Sequence, residues 1–242
     1  MAAGQDTSKP GRDGRAVDAV FFDLFGTLLD LGGLVEECET AASGRGRELA
    51  VRWRVRQLEF SWLRTATGSE SFIDFDQVTT DALHATLDEL RDAGVEVQGA
   101  AAERLRDAFA QLPLNPNSLD AIHALRGAGL RTGVLTNGTR GTLERVLART
   151  GLSDLMDFAL SADAVRVFKP HPAVYRLATD ATSLPPAGIA LVTANGWDAA
   201  GAGAFGLQAV WLRPTSGARF PRIGAPQPTV ADWASLAATL GA

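Results

Sequence analysis

The sequence has few of the residues that several common kinds of site require. It holds one cysteine, Cys38, and three histidines in 242 residues. A single cysteine excludes an internal disulfide framework and a zinc site with several cysteine ligands, and it fits a reducing compartment, so we expect a cytoplasmic protein. The sequence also lacks a run of 18 apolar residues and an apolar stretch near its N-terminus, so we expect neither a transmembrane helix nor a secretory signal.

Excess positive charge is lacking as well. The 23 Lys and Arg residues face 28 Asp and Glu residues, which gives a net charge of −5. A negative chain without a basic block is a poor candidate for nucleic-acid or anionic-membrane binding, so we expect neither partner. Lysine and tyrosine are rare, and Lys169, the only lysine beyond Lys9, lies six residues before Tyr175, the single tyrosine.

Short apolar runs alternate with segments of helical character. Runs that are apolar at nearly every position predict strands buried on both faces, as in a parallel sheet. Strand–helix alternation at this spacing favours an α/β fold with an open, doubly wound parallel sheet. The predicted strands are 17–22, 130–135, 158–161, 189–192 and 209–212, and the predicted helices between them are 118–127, 142–150, 173–181 and 199–205.

The strand signal disappears between about residues 34 and 116. Three segments in this interval, 48–64, 76–91 and 101–112, have the spacing of helices. We therefore expect a helical cap domain at 33–115, inserted after the first strand of a core domain formed by 16–32 and 116–242. Residues 1–15 have no apolar period, and we expect a disordered tail there.

Polar residues follow the predicted strands, and the carboxyl ends of parallel strands meet at one edge of a sheet, where ligands bind. Two carboxylates, an ammonium, hydroxyls and amides at one edge would suffice for nucleophilic catalysis by an aspartate. A single Asp or Thr at a strand end is more often a turn or helix-capping residue, but several clusters at one edge favour a site. The residues are Asp23, Thr27, Thr136, Asn137, Lys169, Thr193, Asn195 and Asp198.

These residues lie in segments that resemble the four signature motifs of the haloacid dehalogenase superfamily. The segments are 23–28 (DLFGTL), 136–138 (TNG), 169–170 (KP) and 195–198 (NGWD). Together with the helix text at 53–64 (WRVRQLEFSWLR), they are similar to the L-2-haloacid dehalogenase subfamily over residues 17–240. The resemblance implies a Rossmann-like core with a helical cap, small 2-halo carboxylic acids and water as substrates, and an arrangement that is often a homodimer.

Two positions favour displacement at carbon over phosphoryl transfer. Phosphotransferases of the superfamily carry a second Asp two residues after the nucleophile, where it protonates the leaving alcohol, and Phe25 occupies that position here. A halide is a weak base that leaves without a proton. Metal-using members also carry an Asp near the start of the fourth motif, where Asn195 and Trp197 stand here, so we expect no metal and no other cofactor.

The resemblance assigns a role to each candidate. Asp23 is the nucleophile, and Asp198 activates or orients the water, with Asn195 and Thr193 holding that water. Thr27 bonds an Asp23 oxygen, and Lys169 with Tyr175 completes the catalytic set. The remaining candidates contact the substrate. Arg54 and Asn137 bind the halide, and Thr136 with the N–H groups of Leu24 and Phe25 binds the substrate carboxylate. An apolar wall is formed by Phe25, Leu58, Phe75 and Trp197. We expect Trp53 and Trp62 to belong to the core.

Some positions depart from the subfamily. Phe25 replaces the commoner Tyr, Thr136 and Thr193 replace Ser, and Val55 and Ala194 replace polar residues. These changes affect the expected range of substrates and halogens but not the reaction type, because one methyl group changes selectivity by only about 1–3 kcal/mol.

Two other functions remain open at this point. One is a phosphatase or phosphotransferase of the same superfamily, and the other is a non-catalytic binding protein on the same scaffold. A nucleotide-binding protein is disfavoured, because the Gly201–Gly203 stretch lies inside a predicted helix and does not follow the first strand.

Overall fold

The computed structural model describes residues 17–95, 97, 99–213 and 229–241. Six parallel strands form one sheet in the order β3-β2-β1-β4-β5-β6. The strands are β1 (Ala19–Phe22), β2 (Arg131–Thr136), β3 (Phe158–Ser161), β4 (Ile189–Thr193), β5 (Gln208–Leu212) and β6 (Thr229–Val230). The predicted α/β fold with a parallel sheet is therefore confirmed. The predicted tail, 1–15, lies outside the described residues.

The helices connect these strands and flank the sheet. Helices α1 (Gly32–Ala41), α2 (Gly46–Ala66), α3 (Phe75–Asp92) and α4 (Gly99–Gln111) lie between β1 and β2, and we refer to these four as the helical insert. Helices α5 (Ser118–Gly127), α6 (Arg140–Thr150), α7 (Pro172–Thr182), α8 (Gly196–Phe205) and α9 (Leu236–Thr239) follow. Within the described residues, no helix is long and apolar enough to cross a membrane.

The centre of the sheet is apolar on both faces. Every residue of β1 and β4 is buried, as a strand covered on both sides requires. Strand β3, at the edge, is only partly buried. Because β1 pairs with both β2 and β4, the residues that follow these three strands lie side by side at one edge of the sheet.

The chain turns sharply after β1. Gly26 adopts φ +82°, a left-handed conformation that glycine accepts without strain, and its N–H donates to the carbonyl of Leu29. This turn keeps Asp23 at the end of β1 and leads the chain into the helical insert.

Candidate active site

Asp23 lies directly after β1 and is 5% exposed. Its Oδ2 accepts hydrogen bonds from Thr27 Oγ1 (3.0 Å), Asn195 Nδ2 (2.7 Å) and Thr193 Oγ1 (3.4 Å). Its Oδ1 accepts a hydrogen bond of 3.1 Å from Lys169 Nζ. One oxygen of the carboxylate is thus held by three donors and the other by an ammonium.

The turns after β1 and β4 are joined by two of these residues. Thr27 Oγ1 also accepts the N–H of Ala194 at 2.9 Å, and Asn195 Nδ2 also donates to the carbonyl of Phe25 at 3.2 Å. Because both partners of Asp23 are themselves fixed by backbone groups, the Oδ2 side of the carboxylate has little freedom to move.

A second buried carboxylate lies on the other side of the ammonium. Lys169 Nζ donates to Asp198 Oδ2 at 2.9 Å, and both residues are fully buried. Asp198 lies in the first turn of α8, where the positive end of the helix dipole favours a negative charge. The three charged groups, Asp23, Lys169 and Asp198, form a row with the cation in the middle.

Tyr175 fixes the remaining oxygen of Asp198. Its hydroxyl donates to Asp198 Oδ1 at 2.8 Å, from a ring that is fully buried in α7. Lys169 and Tyr175, which belong to two residue types that are rare in this sequence, therefore contact the same carboxylate.

Burial and charge shift the pKa values of this cluster. Burial acts to lower the pKa of Lys169, but the attraction of Asp198 and Asp23 outweighs it, so the pKa is raised and the ammonium stays charged. Burial raises the pKa of Asp198, against the opposing effects of Lys169 and Tyr175. Burial and the charge of Asp198 hold the pKa of Tyr175 well above its ordinary value, so the phenol remains a donor.

Thr136 ends β2 and Asn137 follows it, and both residues are buried. Asn137 Oδ1 accepts the N–H of Lys169 at 2.8 Å, so the Nδ2 end of its amide is directed away from Lys169. Thr136 Oγ1 accepts the N–H of Gly138 at 3.0 Å. The polar residues that follow β1, β2 and β4 and the loop after β3 therefore meet at one place.

The helical insert brings a cation to this place. Arg54, on α2, is half-buried and donates to the side chain of Gln57. Burial lowers the pKa of Arg54, whereas the negative charges of Asp23 and Asp198 act in the opposite direction. The guanidinium of Arg54, on the helical insert, therefore interacts electrostatically with both carboxylates at the edge of the sheet.

Aromatic rings pack against Phe25, two residues after Asp23. The rings of Phe25 and Phe75 are stacked at 6.3 Å, and a cavity of about 270 Å³ lies beside them, also lined by Gln57 and Phe109. Leu58 is half-buried on α2. Phe25 therefore connects this cavity to the turn that follows Asp23, which does not itself line the cavity.

The expectation that Trp62 belongs to the core is wrong. Trp53 is fully buried, whereas Trp62 is 37% exposed and meets the ring of Trp197 edge-on at 5.6 Å. The two residues are nine positions apart on α2. Because an α-helix has 3.6 residues per turn, nine positions make about two and a half turns, and the two side chains lie on opposite sides of the helix. Trp62 contacts α8 at the edge of the candidate site.

No group of three His, Cys, Asp or Glu side chains that could hold a metal ion is found within the described ranges, 17–95, 97, 99–213 and 229–241. The ammonium of Lys169 lies between the two carboxylates of the site. The expectation of a site without a metal remains a prediction.

Three residues at this site were missed from the sequence. Gln57 contacts Arg54, the hydroxyl of Thr65 accepts the N–H of Phe168 at 3.0 Å, and Gly201 lies against Tyr175. The spacing of three residues between Arg54 and Gln57 on one helix could have indicated the first contact. The others join distant parts of the chain and leave no local signal.

A family model described as haloacid dehalogenase-like hydrolase matches residues 17–206. The (S)-2-haloacid dehalogenase of Pseudomonas sp. (strain YL) is 37% identical over 199 residues, which cover 82% of this chain and 84% of that protein. The family model spans β1 to α8 and therefore includes every residue of the site.

Solved structures agree with the sequence relatives. The crystal structure of the L-2-haloacid dehalogenase RSc1362 has a TM-score of 0.88 and 34% identity, covering 94% of this chain and all of that chain. The L-2-haloacid dehalogenase of Xanthobacter autotrophicus with chloropropionic acid covalently bound has a TM-score of 0.82 and 30% identity, covering 91% of this chain and 96% of that chain.

Proposed function

This chain belongs to the haloacid dehalogenase-like hydrolases, and we propose that it hydrolyses (S)-2-halo acids to (R)-2-hydroxy acids through an ester on Asp23, without a metal or other cofactor. The observation that carries the proposal is the unequal bonding of the Asp23 carboxylate. Oδ2 accepts three hydrogen bonds, whereas Oδ1 accepts one, from Lys169.

In the first step, Oδ1 of Asp23 attacks C2 of the halo acid from the face opposite the halogen. The new bond joins Oδ1 to C2, the carbon–halogen bond breaks, and the halide leaves with the bonding electrons, so the configuration inverts. Oδ1 is the better nucleophile because its lone pairs are less engaged than those of Oδ2. The covalently bound chloropropionic acid of the Xanthobacter autotrophicus enzyme supports an ester route.

In the second step, water attacks Cγ of the ester. Asp198, whose pKa is raised by burial, takes a proton from the water. Negative charge then develops on Oδ2, where Thr27, Thr193 and Asn195 already donate hydrogen bonds. Such preorganised donors are worth about 10²–10³-fold in rate for each donor.

The ester then breaks between Cγ and Oδ1. Lys169 Nζ, already 3.1 Å from Oδ1, gives its proton to the leaving alkoxide, and the 2-hydroxy acid departs with Oδ1 as its hydroxyl oxygen. Asp198 returns a proton to Lys169 across the 2.9 Å contact. Asp23 regains its second oxygen from water and loses the remaining proton, so each turnover releases one halide and one proton.

Substrate contacts follow from the surroundings of Asp23. Arg54 and Asn137 bind the departing halide, and Thr136 with the N–H groups of Leu24 and Phe25 binds the substrate carboxylate. Phe25, Leu58, Phe75 and Trp197 enclose the C2 substituent. The attraction between Arg54 and a halide is strengthened where water is excluded.

The absence of a metal requirement rests on the donor set. Phe25 and Asn195 occupy positions at which metal-using relatives carry carboxylates, and the Lys169 ammonium lies between Asp23 and Asp198. A divalent cation prefers several anionic oxygens as ligands, and it would compete with this ammonium for the carboxylates of Asp23 and Asp198.

Halide release tests the proposal. Rates are measured with (S)-2-chloropropionate, (R)-2-chloropropionate, chloroacetate and fluoroacetate in EDTA, for the native enzyme, Asp23→Asn and Asp180→Asn. The (S) isomer is expected to release halide faster than the (R) isomer, Asp23→Asn to be inactive, and Asp180→Asn, changed at an exposed position on α7, to match the native enzyme. No halide from any substrate, or equal rates in Asp23→Asn, contradicts the proposal.

Isotope labelling tests the ester. In a single turnover in ¹⁸O-water, the label is expected in Asp23 and the product is expected to remain unlabelled, because its oxygen comes from Oδ1. Label that enters the product first contradicts the ester and indicates direct attack of water on C2.

A further inference from the structure

Gln57 is a fully buried amide on α2, one turn after Arg54. Its Oε1 accepts a hydrogen bond from Arg54 Nη1, and its Nε2 donates to Thr79 Oγ1 on the facing helix α3. A buried polar side chain with both ends bonded is costly to replace, because either partner is then left without its hydrogen bond.

The orientation of this amide follows from Thr79. The hydroxyl of Thr79 donates its only proton to the carbonyl of Phe75 at 2.7 Å, so its oxygen can only accept from Gln57. The amide nitrogen must therefore face Thr79, and the amide oxygen must face Arg54. The chain of bonds runs in one direction, from the guanidinium to the backbone of Phe75, whose ring stacks on that of Phe25.

Other arginines on the same helix have charged partners. Arg52 pairs with Glu48 at 2.8 Å, and Arg56 pairs with Glu89 at 2.7 Å. Arg54, in contrast, donates to a neutral amide. A carboxylate at this place would compensate the charge of the guanidinium, whereas an amide fixes its position and leaves its charge available to an anion.

We propose that Gln57 is a positioning residue that holds Arg54 toward Asp23 and keeps the guanidinium free of a compensating carboxylate, so that it binds the departing halide. The inference rests on the proposed function, in which Arg54 receives the halide. The inference also predicts that Arg54 binds an anion in the free protein, so its effect on anion affinity can be measured apart from turnover.

Gln57→Glu tests the requirement for a neutral partner, because glutamate has nearly the same shape. The matched control is Gln111→Glu, the same change at an exposed position at the end of α4. Chloride binding to the free proteins is followed by the broadening of the ³⁵Cl NMR line. We expect Gln57→Glu to weaken chloride binding at least about tenfold, the effect of about 1.4 kcal/mol, and Gln111→Glu to bind as the native protein does.

Steady-state kinetics of Gln57→Glu provide a second measurement. In Gln57→Glu we expect a higher KM and weaker product inhibition by bromide, and we expect kcat to fall more with chloro than with bromo acids, since chloride is the poorer leaving group. A general packing defect would lower kcat equally for both halogens. Native chloride affinity together with native product inhibition in Gln57→Glu overturns the inference.

Thr79 gives a test that introduces no charge. Thr79→Val removes the hydroxyl that receives the Gln57 amide, whereas Thr79→Ser keeps it. Thr79→Val is expected to weaken chloride binding and Thr79→Ser to restore it. Equal chloride affinity in the two variants contradicts the inference.

The two proposals fail in different ways. If the native enzyme releases no halide from any 2-halo acid, the proposed function is wrong, while chloride binding in the Gln57 and Thr79 variants still decides the role of Gln57. If halide is released and these variants bind chloride normally, the inference alone is wrong.

Discussion

Lys169 Nζ donates a hydrogen bond of 3.1 Å to Oδ1 of Asp23, and the two side chains are 1% and 8% exposed. The residues are 146 positions apart in the chain, so only the fold brings them together. Removing one partner of a buried ion pair costs about 3–5 kcal/mol, because the other charge is left without compensation. We therefore expect the loss of this cation to affect the stability of the fold as well as the proposed reaction.

Lys169→Arg is expected to preserve the fold and to lose most of the activity. The positive charge is kept, so the two carboxylates remain compensated. A planar guanidinium, however, is larger than an ammonium and does not lose its proton, so it cannot protonate the leaving alkoxide. We expect kcat to fall about 10²-fold or more, measured as halide release, with thermal unfolding as the check on the fold.

Lys169→Met is the matched comparison for this prediction. It removes the charge, and we expect it to lower the free energy of unfolding by several kcal/mol, about the cost of an unpaired buried carboxylate. Near-native turnover in Lys169→Arg would show that any cation suffices at this position.

Much of the sheet and most of the site could be predicted from the sequence. The strands of a parallel sheet are apolar at nearly every position, and Asp23, Thr136 and Thr193 lie at strand ends or directly after them. A single topological rule, that such ends share an edge, is enough to bring these residues together. Lys169 was predicted from its place in the loop after β3, although it lies eight residues beyond the end of that strand.

Features that depend on packing between distant elements could not be predicted. Helix α1 begins with Gly32 and Gly33, which are poor helix formers, and it was not predicted. The exposure of Trp62 and the contact of Gln57 with Thr79 depend on how α2 lies against other helices. The hydrophobic pattern of α2 is weak, so its buried face could not be assigned from its sequence.

Tyr175→Phe is expected to shift the acid side of the pH profile of kcat to higher pH. Burial raises the pKa of Asp198, and the hydrogen bond from Tyr175 lowers it. Loss of that bond raises the pKa further, so Asp198 becomes protonated, and stops acting as a base, at a higher pH than in the native enzyme. The profile is measured by halide release across the acid range, and a shift to lower pH would contradict the role of Asp198 as base.

Thr27→Val is expected to lower both kcat and stability. Valine has the shape of threonine but cannot donate to Asp23 Oδ2 or accept from the N–H of Ala194. The unpaired N–H costs about 1–3 kcal/mol in the free energy of unfolding, and the lost donor costs about 10²-fold in kcat. Urea unfolding and halide release measure the two effects.

Thr27→Ser is the control for this change, because it keeps the hydroxyl and removes one methyl group. It should retain most of the activity that Thr27→Val loses. If Thr27→Val keeps native activity while Thr27→Ser loses it, the effect belongs to the methyl group and the hydrogen bonds of Thr27 are not required.

Gly201→Ala is expected to damage the site without touching a charged residue. A Cβ on Gly201 would lie 2.5 Å from Cβ of Pro170 and 2.6 Å from the hydroxyl oxygen of Tyr175, closer than such atoms approach. Tyr175 must then move away from Asp198, and Pro170 would draw the adjoining Lys169 with it. We expect kcat to fall at least about tenfold. We also expect the acid side of the pH profile of kcat to move to higher pH, as in Tyr175→Phe, because the same hydrogen bond is lost.

Gly127→Ala is the matched control, since a Cβ at this helical position in α5 meets no atom within 4 Å. It should leave kcat unchanged and raise the free energy of unfolding by up to about 1 kcal/mol. Native activity in Gly201→Ala would mean that α8 can shift without disturbing Tyr175, and the close approach of glycine would then have no part in catalysis.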